Sequence, residues 1–345
     1  MIQVFQNSYK SFSTNKMKCN FIVSAIFIYI YLLLVLNLND EKTSKNIISN
    51  IFTFSGVFLA ILMTFIISKI FQIRNEKREV RFKVIRLSNK LTDYRRICDK
   101  ILLSDKVWNS NTRSKMKNEY KYLTYRNLYD DYQKNKPKNL IKKFREETNI
   151  PGASFYLALR ELVNENYEKW ELELFSEYDG DIIYPLEIVQ IWWGIGCFNA
   201  FFYYLEDKYG LYKNDILINN IGCDKKKEIE RLANKINNER YGNKKFDKEL
   251  LVDLGNYFQT ELIPRLLNYL SEFNEGVSKS LNYIYRMLIL IMIFGVFIPL
   301  IFPFVENLFV KEMAIVHICT LMMSLIFINF IIDFKKILMS EINIK

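Results

Sequence analysis

Histidine, glycine and proline are scarce in this chain of 345 residues, which holds one histidine, 11 glycines and 6 prolines. A single histidine excludes the HExxH zinc motif, which requires two. It also leaves His317, inside an apolar stretch, as the only base for a Ser-His-Asp triad. Few glycines and prolines argue against an all-β fold, which needs many turns. The composition therefore favours helices.

Motifs of catalysis and metal binding are missing as well. The sequence contains no GxxxxGK[ST] phosphate loop, no GxSxG nucleophile turn and no CxxC pair. The acidic stretch at 179–181 does not fit an EF-hand loop. We therefore expect no enzyme activity, no cofactor and no metal site. The odd number and irregular spacing of the cysteines indicate reduced thiols in a protein facing the cytoplasm. They are Cys19, Cys98, Cys197, Cys223 and Cys319.

Long uncharged apolar runs lie near both ends of the chain. Each approaches the roughly 20 residues that cross about 30 Å of hydrocarbon. We predict an all-α, polytopic membrane protein with four transmembrane helices in two pairs, at 21–70 and 285–333. The runs are Phe21–Leu38, Ile51–Ile67, Met287–Val305 and Met313–Phe330.

Lysine and arginine beside these runs predict the orientation. Basic residues precede the first run, follow the second, precede the third and follow the fourth. The short connection within the first pair is balanced in charge, and that within the second pair has one base against two acids. Because positive flanks stay on the cytoplasmic side, we expect both termini and the middle region to be cytoplasmic, in a multi-pass protein of the cell (inner) membrane. Residues 1–20 and 334–345 are then cytoplasmic tails.

The middle region, 71–284, is predicted to be a helical cytoplasmic domain. Stalk helices at about 75–103 and 246–284 are expected to continue the second and third spans, because apolar residues keep heptad spacing along both. This spacing fits a coiled coil that transmits movement, and it equally fits the core packing of a helical bundle. The heptad positions are Val80, Val84, Leu87, Leu91, Tyr94, Cys98 and Ile101, then Ile263, Leu267, Leu270, Asn274, Val277, Leu281 and Ile284.

The apolar stretch 186–205 is interpreted as a buried central helix of this domain or a segment at the membrane interface. A fifth span there would break the charge asymmetry. Small residues four apart predict close helix approach at Gly196 and Ala200, and again at Gly56 and Ala60.

A basic, tyrosine-rich region covers 113–143, with ten Lys and Arg against three acids. Its tyrosines recur at helical spacing, a pattern typical of nucleotide, nucleic-acid or anionic-lipid binding and also of a solvated face over a core. The acid-rich stretch 161–187 is its charge complement and a candidate partner for it, in the same subunit or in a neighbour. The candidate anion- or partner-binding residues are Lys121, Tyr122, Tyr125, Arg126, Tyr129, Lys134, Lys136, Lys138, Lys142 and Lys143.

Three residues in the last two runs are candidate pore or hinge residues. Pro299 and Pro303 are expected to kink the third span, and His317 places an ionisable group in the fourth. Together with the stalks they favour an oligomeric gated pore, or a membrane-perturbing effector, controlled by the cytoplasmic domain. This is the general plan of bacterial defence effectors that depolarise membranes. The expected partners are membrane lipid and further copies of the chain. The alternative is a membrane-anchored receptor or scaffold whose basic region binds nucleic acid, nucleotide, anionic lipid or an acidic partner.

Overall fold

The computed structural model describes residues 41–109, 112–134, 152–163, 182–206, 216–276, 279–305 and 312–342. Within these ranges the secondary structure is helical, and the only β pairing is one isolated bridge between Trp108 and Ile216. The predicted all-α class is thereby confirmed for the described part of the chain.

The helices are numbered in chain order. The regular ones are α1 Glu41–Leu102, α2 Thr112–Asn118, α3 Tyr125–Lys134, α4 Ala153–Val163, α5 Leu186–Gly194, α6 Ala200–Leu205, α7 Cys223–Ile236, α8 Asn238–Tyr241, α9 Lys248–Tyr257, α10 Ile263–Asn274, α11 Lys279–Ile291, α12 Ile298–Val305 and α13 Glu312–Ile342. Two π-helical segments, π1 Phe258–Leu262 and π2 Met292–Phe297, connect α9 to α10 and α11 to α12.

The chain divides into two compact units. The central unit is Glu76–Glu275, and the terminal unit combines Met1–Asn75 with Gly276–Lys345. Helix α1, 62 residues long, contributes to both units without a break in its helical hydrogen bonding. The sequence permits this length because no glycine or proline lies between Gly56 and the end of α1.

The central unit is built around one face of α1. The heptad residues Val84, Tyr94 and Ile101 of that face are completely buried. Tyr94 stacks on Phe258 at a centroid distance of 4.2 Å, and its hydroxyl donates a 3.2 Å hydrogen bond to the carbonyl of Phe198. Since the face packs into a core formed by several helices, its periodicity reflects a bundle core.

The stretch 186–205 lies in the same core, but it is two helices, α5 and α6. They are bent by 47° relative to each other. Gly196, between them, has φ +75°, a left-handed conformation that favours glycine. The expected single helix is therefore corrected to a broken pair, and the buried residues include Val189, Phe198 and Phe201.

Two helices of the described chain are long and apolar enough to cross a membrane, Asn46–Leu102 and Leu281–Ile301. The bent pair α5 and α6 would make a third if counted as one span. The apolar stretch Ile318–Asp333 in α13 is shorter, and Phe21–Leu38 lies outside the described residues. The prediction of four spans is thus supported at two of its four positions.

The second predicted stalk is not one helix. α10 ends at Asn274, Glu275 has the non-helical angles φ −59° and ψ 130°, and Gly276 is also outside any helix. Lys77 of α1 donates a 2.7 Å hydrogen bond to the carbonyl of Glu275, as basic side chains commonly do at helix C-termini. The heptad pattern runs through this break because it reports which face is apolar and carries no information on helical continuity.

Candidate functional site

The candidate site lies in the terminal unit, where the helical path from α11 to α12 passes through π2. The N–H of Ile298 donates to the carbonyl of Ile293, five residues earlier, instead of the usual four. Pro299 comes next and is buried. A proline has no N–H, and in a regular α-helix its ring clashes with the carbonyl four residues before. The wider π turn accommodates this ring.

The same arrangement occurs in the central unit at Pro264. There the N–H of Ile263 donates to the carbonyl of Phe258, and π1 ends two residues before the proline, as π2 does. Two short sequences therefore mark the two π segments, Leu262-Ile263-Pro264 and Phe297-Ile298-Pro299. Segments of π-helix are rare and are frequent at functional sites.

Each proline leaves one carbonyl without a backbone donor, five residues before it. In π1 this is the carbonyl of Gln259, and the indole Nε1–H of Trp193 donates to it at 3.1 Å. In π2 the corresponding carbonyl belongs to Phe294. The two π segments thus share a cause, the proline that follows each of them.

The neighbour of Phe294, Gly295, forms a close helix crossing with α1. A methyl group at Gly295 would lie 2.6 Å from Ser55 Cβ and 3.1 Å from Met323 Cε, and it would overlap Ser55 Oγ. Only glycine fits this position. Ser55 is completely buried, and its hydroxyl has no hydrogen-bond partner in the described part of the chain.

The crossing therefore places a buried hydroxyl without an acceptor beside the π segment. Leaving a buried polar group unsatisfied costs about 1–3 kcal/mol. Because Ser55 and Gly295 are in close contact, a displacement of π2 against α1 would change the surroundings of this hydroxyl.

The sequence located this site only in part. Pro299 was a predicted hinge residue and lies two residues after the end of π2, whereas Ser55 and Gly295 were missed. Pro303 and His317 lie on the helical backbones of α12 and α13, and their side chains are outside the described set. Which pairs of distant residues meet at a crossing is not encoded in a local pattern.

The expected close approaches at Gly56 and Gly196 are corrected. A Cβ at either glycine would meet nothing within 4 Å. In the central unit the close approach is instead at Gly255 of α9, where a Cβ would lie 2.7 Å from the carbonyl oxygen of Phe198. Small-residue spacing thus identified the right kind of contact at the wrong glycines.

The basic region forms parts of α2 and α3, which pack on α4. Tyr125 and Tyr129 are half-buried against the central core, while Tyr122 is 85% exposed, with the ammonium of Lys121 5.7 Å from its ring centroid. Thr124 and Asn127 exchange backbone-to-side-chain hydrogen bonds of 3.2 Å, a reciprocal cap that starts α3 after Tyr122.

The expected row of tyrosines on one helix face is therefore corrected, since Tyr122 precedes the helix. Arg126 lies on α3. Burial raises the pKa of Glu161 above its ordinary value, and the positive charge of Arg126 offsets part of that rise. Lys134 ends α3, and its side chain is not described. Lys136, Lys138, Lys142 and Lys143 lie outside the described residues.

Arg95 of α1 is a buried cation that the sequence did not single out. It is 2% exposed, and its Nε–H and Nη2–H donate to the carbonyls of Leu162 and Val163 at 2.6 and 3.1 Å. Its Nη1–H donates to the Tyr184 hydroxyl at 3.1 Å, and its guanidinium carbon lies 5.1 Å from the Trp192 ring centroid. In the described chain no carboxylate lies within ion-pair distance of it.

These contacts give Arg95 a structural explanation. Its cation faces the C-terminal carbonyls of α4, where the helix dipole is negative, and two aromatic faces. Arg95 therefore fixes the end of α4 against α1. The nearby thiols of Cys98 and Cys197 are completely buried, and burial raises the pKa of both, so neither is a nucleophile at neutral pH.

Comparisons with known proteins return no relative. No family model, no curated protein and no solved structure matches the chain. The function is therefore argued from the geometry of this chain alone.

Proposed function

We propose that this chain is an integral membrane protein that assembles with further copies of itself into a gated pore, with π2 as the moving element. The observation that carries the proposal is the close contact between Ser55 and Gly295. It joins the two helices that are long and apolar enough to span a membrane. The central unit supplies control from the cytoplasmic side.

The first step of the argument is the register of π2. Replacing one i→i−5 hydrogen bond by i→i−4 bonds shifts the following helix by one residue, about 100° of rotation and 1.5 Å of rise. The residues after π2, including Leu300 and Ile301, would then present a different face to their surroundings. Such a rotation exchanges pore-lining side chains without breaking the span.

The second step is the energy balance. In that second register the N–H of Ile298 would reach the carbonyl of Phe294, four residues earlier, and the carbonyl of Gly295 would be the one that Pro299 leaves without a backbone donor. The hydroxyl of Ser55, which has no acceptor in the observed register, lies beside Gly295, and a bond between the two would recover part of the cost of about 1–3 kcal/mol that each unsatisfied group carries. Two arrangements within a few kcal/mol of each other are what a switch requires.

The third step is the connection to the central unit. Helix α1 carries Ser55 and continues unbroken to Leu102, whereas the other connection leaves the helix at Glu275 and Gly276. A displacement of α1 along its length would move Ser55 against π2. A ligand or partner of the central unit would act through this helix.

The fourth step is assembly. A few apolar helices in one chain do not enclose a channel, so a pore needs several subunits around an axis. The apolar runs contain no Asp, Glu, Lys or Arg, which favours a hydrophobic constriction that gates by dewetting over a charge relay.

The deciding experiment is the mass of the full chain in mild detergent, by light scattering corrected for bound detergent, followed by conductance in planar bilayers. We expect an assembly of about four or more subunits and discrete conductance steps. A monomer or simple dimer without conductance would reject the pore. Substitution of Gly295 by alanine should change the open fraction, whereas the same change at the uncrowded Gly56 should not.

A second candidate, a membrane-anchored receptor, is favoured by Tyr122, which is exposed beside Lys121 in a basic region. An exposed aromatic ring with a neighbouring cation is suited to a base or an acidic partner. Salt-sensitive binding of a fluorescent oligonucleotide that is lost in Tyr122→Ala and kept in Tyr129→Phe would support it. Equal binding by both variants would reject it.

A further inference from the structure

A groove of about 300 Å³ lies between α1 and α13 in the terminal unit. Thr320, Ser324, Phe327 and Ile328 form one of its walls, along a single stripe of α13. Positions 320 to 328 cover about 12 Å at 1.5 Å per residue, so the groove is elongated along the helix. Its volume is at the small end of the range of about 300–1,000 Å³ found for ligand sites.

The lining has no charged residue. It consists of aliphatic, aromatic and thioether groups with three hydroxyl-bearing side chains. The hydroxyl of Ser324 already donates to the carbonyl of Thr320 at 2.8 Å, and that of Ser55 is enclosed against Gly295. A charged or strongly polar occupant would therefore be desolvated without compensation. An apolar chain is the occupant that this chemistry fits.

The surface around the groove is apolar as well. Phe54 lies in its wall at 4.9 Å from Phe327 between ring centroids, yet is 56% exposed. Beyond the groove, Ile318 and Ile331 on α13 are 53% and 68% exposed. The groove thus opens onto a surface that, under the proposed function, faces lipid acyl chains.

We propose that this groove binds one acyl chain of a membrane lipid, with the headgroup outside it. The proposal rests on the proposed membrane function and adds a regulator to it. An extended hydrocarbon chain matches the elongated shape, the uncharged lining and the apolar surroundings. No other class of occupant is indicated by a charge or an aligned set of donors.

An acyl chain in the groove would act on the hinge. Ser55 and Met323 line the groove, and the same two side chains contact Gly295 of π2. A chain that enters between α1 and α13 presses on both, and both are already in tight contact with Gly295. Occupancy therefore biases π2 between its two registers, so lipids with different chains should alter the open fraction of the pore.

The test uses the full chain in phosphatidylcholine nanodiscs, with photoreactive p-benzoyl-phenylalanine replacing Phe327. After irradiation, mass spectrometry identifies what the probe has captured. We expect a lipid adduct several-fold more abundant than with the probe at the exposed control position Ile331. Ser324→Phe, which fills the groove, should reduce the adduct at 327 several-fold and leave that at 331 unchanged.

Each other outcome overturns the proposal. Equal adducts at 327 and 331, insensitive to Ser324→Phe, would mean ordinary contact with bulk lipid. A cross-link to residues 21–38 or to a second copy would mean that protein covers the groove. The two proposals fail separately. A chain without conductance that still gives the Ser324-sensitive adduct would support the lipid site and reject the pore. Conductance without that adduct would support the pore and reject the lipid site.

Discussion

Gly295 and Ser55 are in contact across two helices, so closely that a methyl group on Gly295 would come within 2.6 Å of Ser55 Cβ. Gly295 is also a member of a π segment, and Ser55 is completely buried with an unpartnered hydroxyl. Close packing at this point is combined with one unsatisfied hydroxyl. Steric contact therefore favours one backbone geometry at this point, whereas no hydrogen bond from the Ser55 hydroxyl stabilises it.

Replacing Gly295 by alanine should disrupt this crossing. The added Cβ meets backbone-proximal atoms of Ser55, which have no flexible end to move away, so α1 and π2 must separate. We expect a loss of about 1–3 kcal/mol in unfolding free energy, the usual range for overpacking. Denaturation of the full chain in mixed micelles measures it.

The control for this change is Gly56→Ala in α1, where a Cβ meets nothing within 4 Å. Alanine is the better helix former by roughly 0.5–1 kcal/mol, so this variant should be equally stable or more stable than the parent. If both variants lose the same stability, the Gly295 crossing is not as close as described.

Ser55→Ala should change the unfolding free energy in the direction opposite to Gly295→Ala. It removes a buried hydroxyl that has no acceptor, together with the desolvation cost of about 1–3 kcal/mol. We expect a neutral or more stable protein by the same denaturation measurement. If the second register of π2 is held by a bond from Ser55 to the Gly295 carbonyl, the variant should also remain in the observed register.

Thr64→Ala is the matched control for that variant. The Thr64 hydroxyl donates a 2.8 Å hydrogen bond to the carbonyl of Ala60 in the same helix. Its removal is expected to be near neutral, since the side chain is exposed and the carbonyl keeps its helical donor. A clear loss of stability in Ser55→Ala would mean that its hydroxyl has an acceptor after all.

Arg95→Met should destabilise the central unit. The change leaves the carbonyls of Leu162 and Val163 without their donors and removes the contacts with Tyr184 and Trp192. Two orphaned buried acceptors imply a loss of about 2 kcal/mol or more. Hydrogen exchange of the α4 amides in the full chain should accelerate, since the end of that helix loses its attachment.

The adjacent arginine provides the control. Arg96 binds Asp93 at 3.1 Å and its side chain is 20% exposed. Arg96→Met should cost less than Arg95→Met, because Asp93, the buried partner of Arg96, keeps Lys235 as a second cation at 3.5 Å. Equal effects at both positions would show that Arg95 does not hold α4.

How far the sequence predicts the fold depends on what its patterns report. The heptad spacing correctly predicted a buried face at Val84 and Tyr94, since periodicity measures which side of a helix is apolar. It did not reveal the break at Glu275, because apolar residues stay in phase across it. One glycine and one extended residue end the helix without disturbing the period.

The candidate site likewise combines one feature that the sequence predicts with others that it does not. Pro299 was recognisable because the consequence of a proline is local: it removes one N–H and displaces one carbonyl. The pairing of Gly295 with Ser55 was not, since it joins residues far apart in sequence and depends on how two helices cross. The sequence did not predict the burial of Arg95 either. Its neighbour Arg96 is also an arginine, yet Arg96 is partly exposed to solvent.

The dependence of stability on pH should report on Asp253. Hydrogen bonds from Arg240, at 2.9 Å from its Nε, and from Lys244, at 3.2 Å, lower the pKa of this carboxyl below its ordinary value of 3.8. A lowered folded-state pKa means that the unfolded chain binds the proton more tightly. The carboxylate therefore contributes stability at neutral pH that begins to be lost near pH 3.8 and falls further through the lower folded-state pKa. Asp253→Asn should be less stable than the parent at pH 7, with the difference in unfolding free energy narrowing below about pH 4.

Denaturation series at pH 7 and at pH 3 measure this difference. The control is Asp224→Asn, which removes an exposed carboxyl at the start of α7 and is expected to show a smaller difference. A constant difference between parent and Asp253→Asn across that range would show that the ion pair with Arg240 does not stabilise the fold.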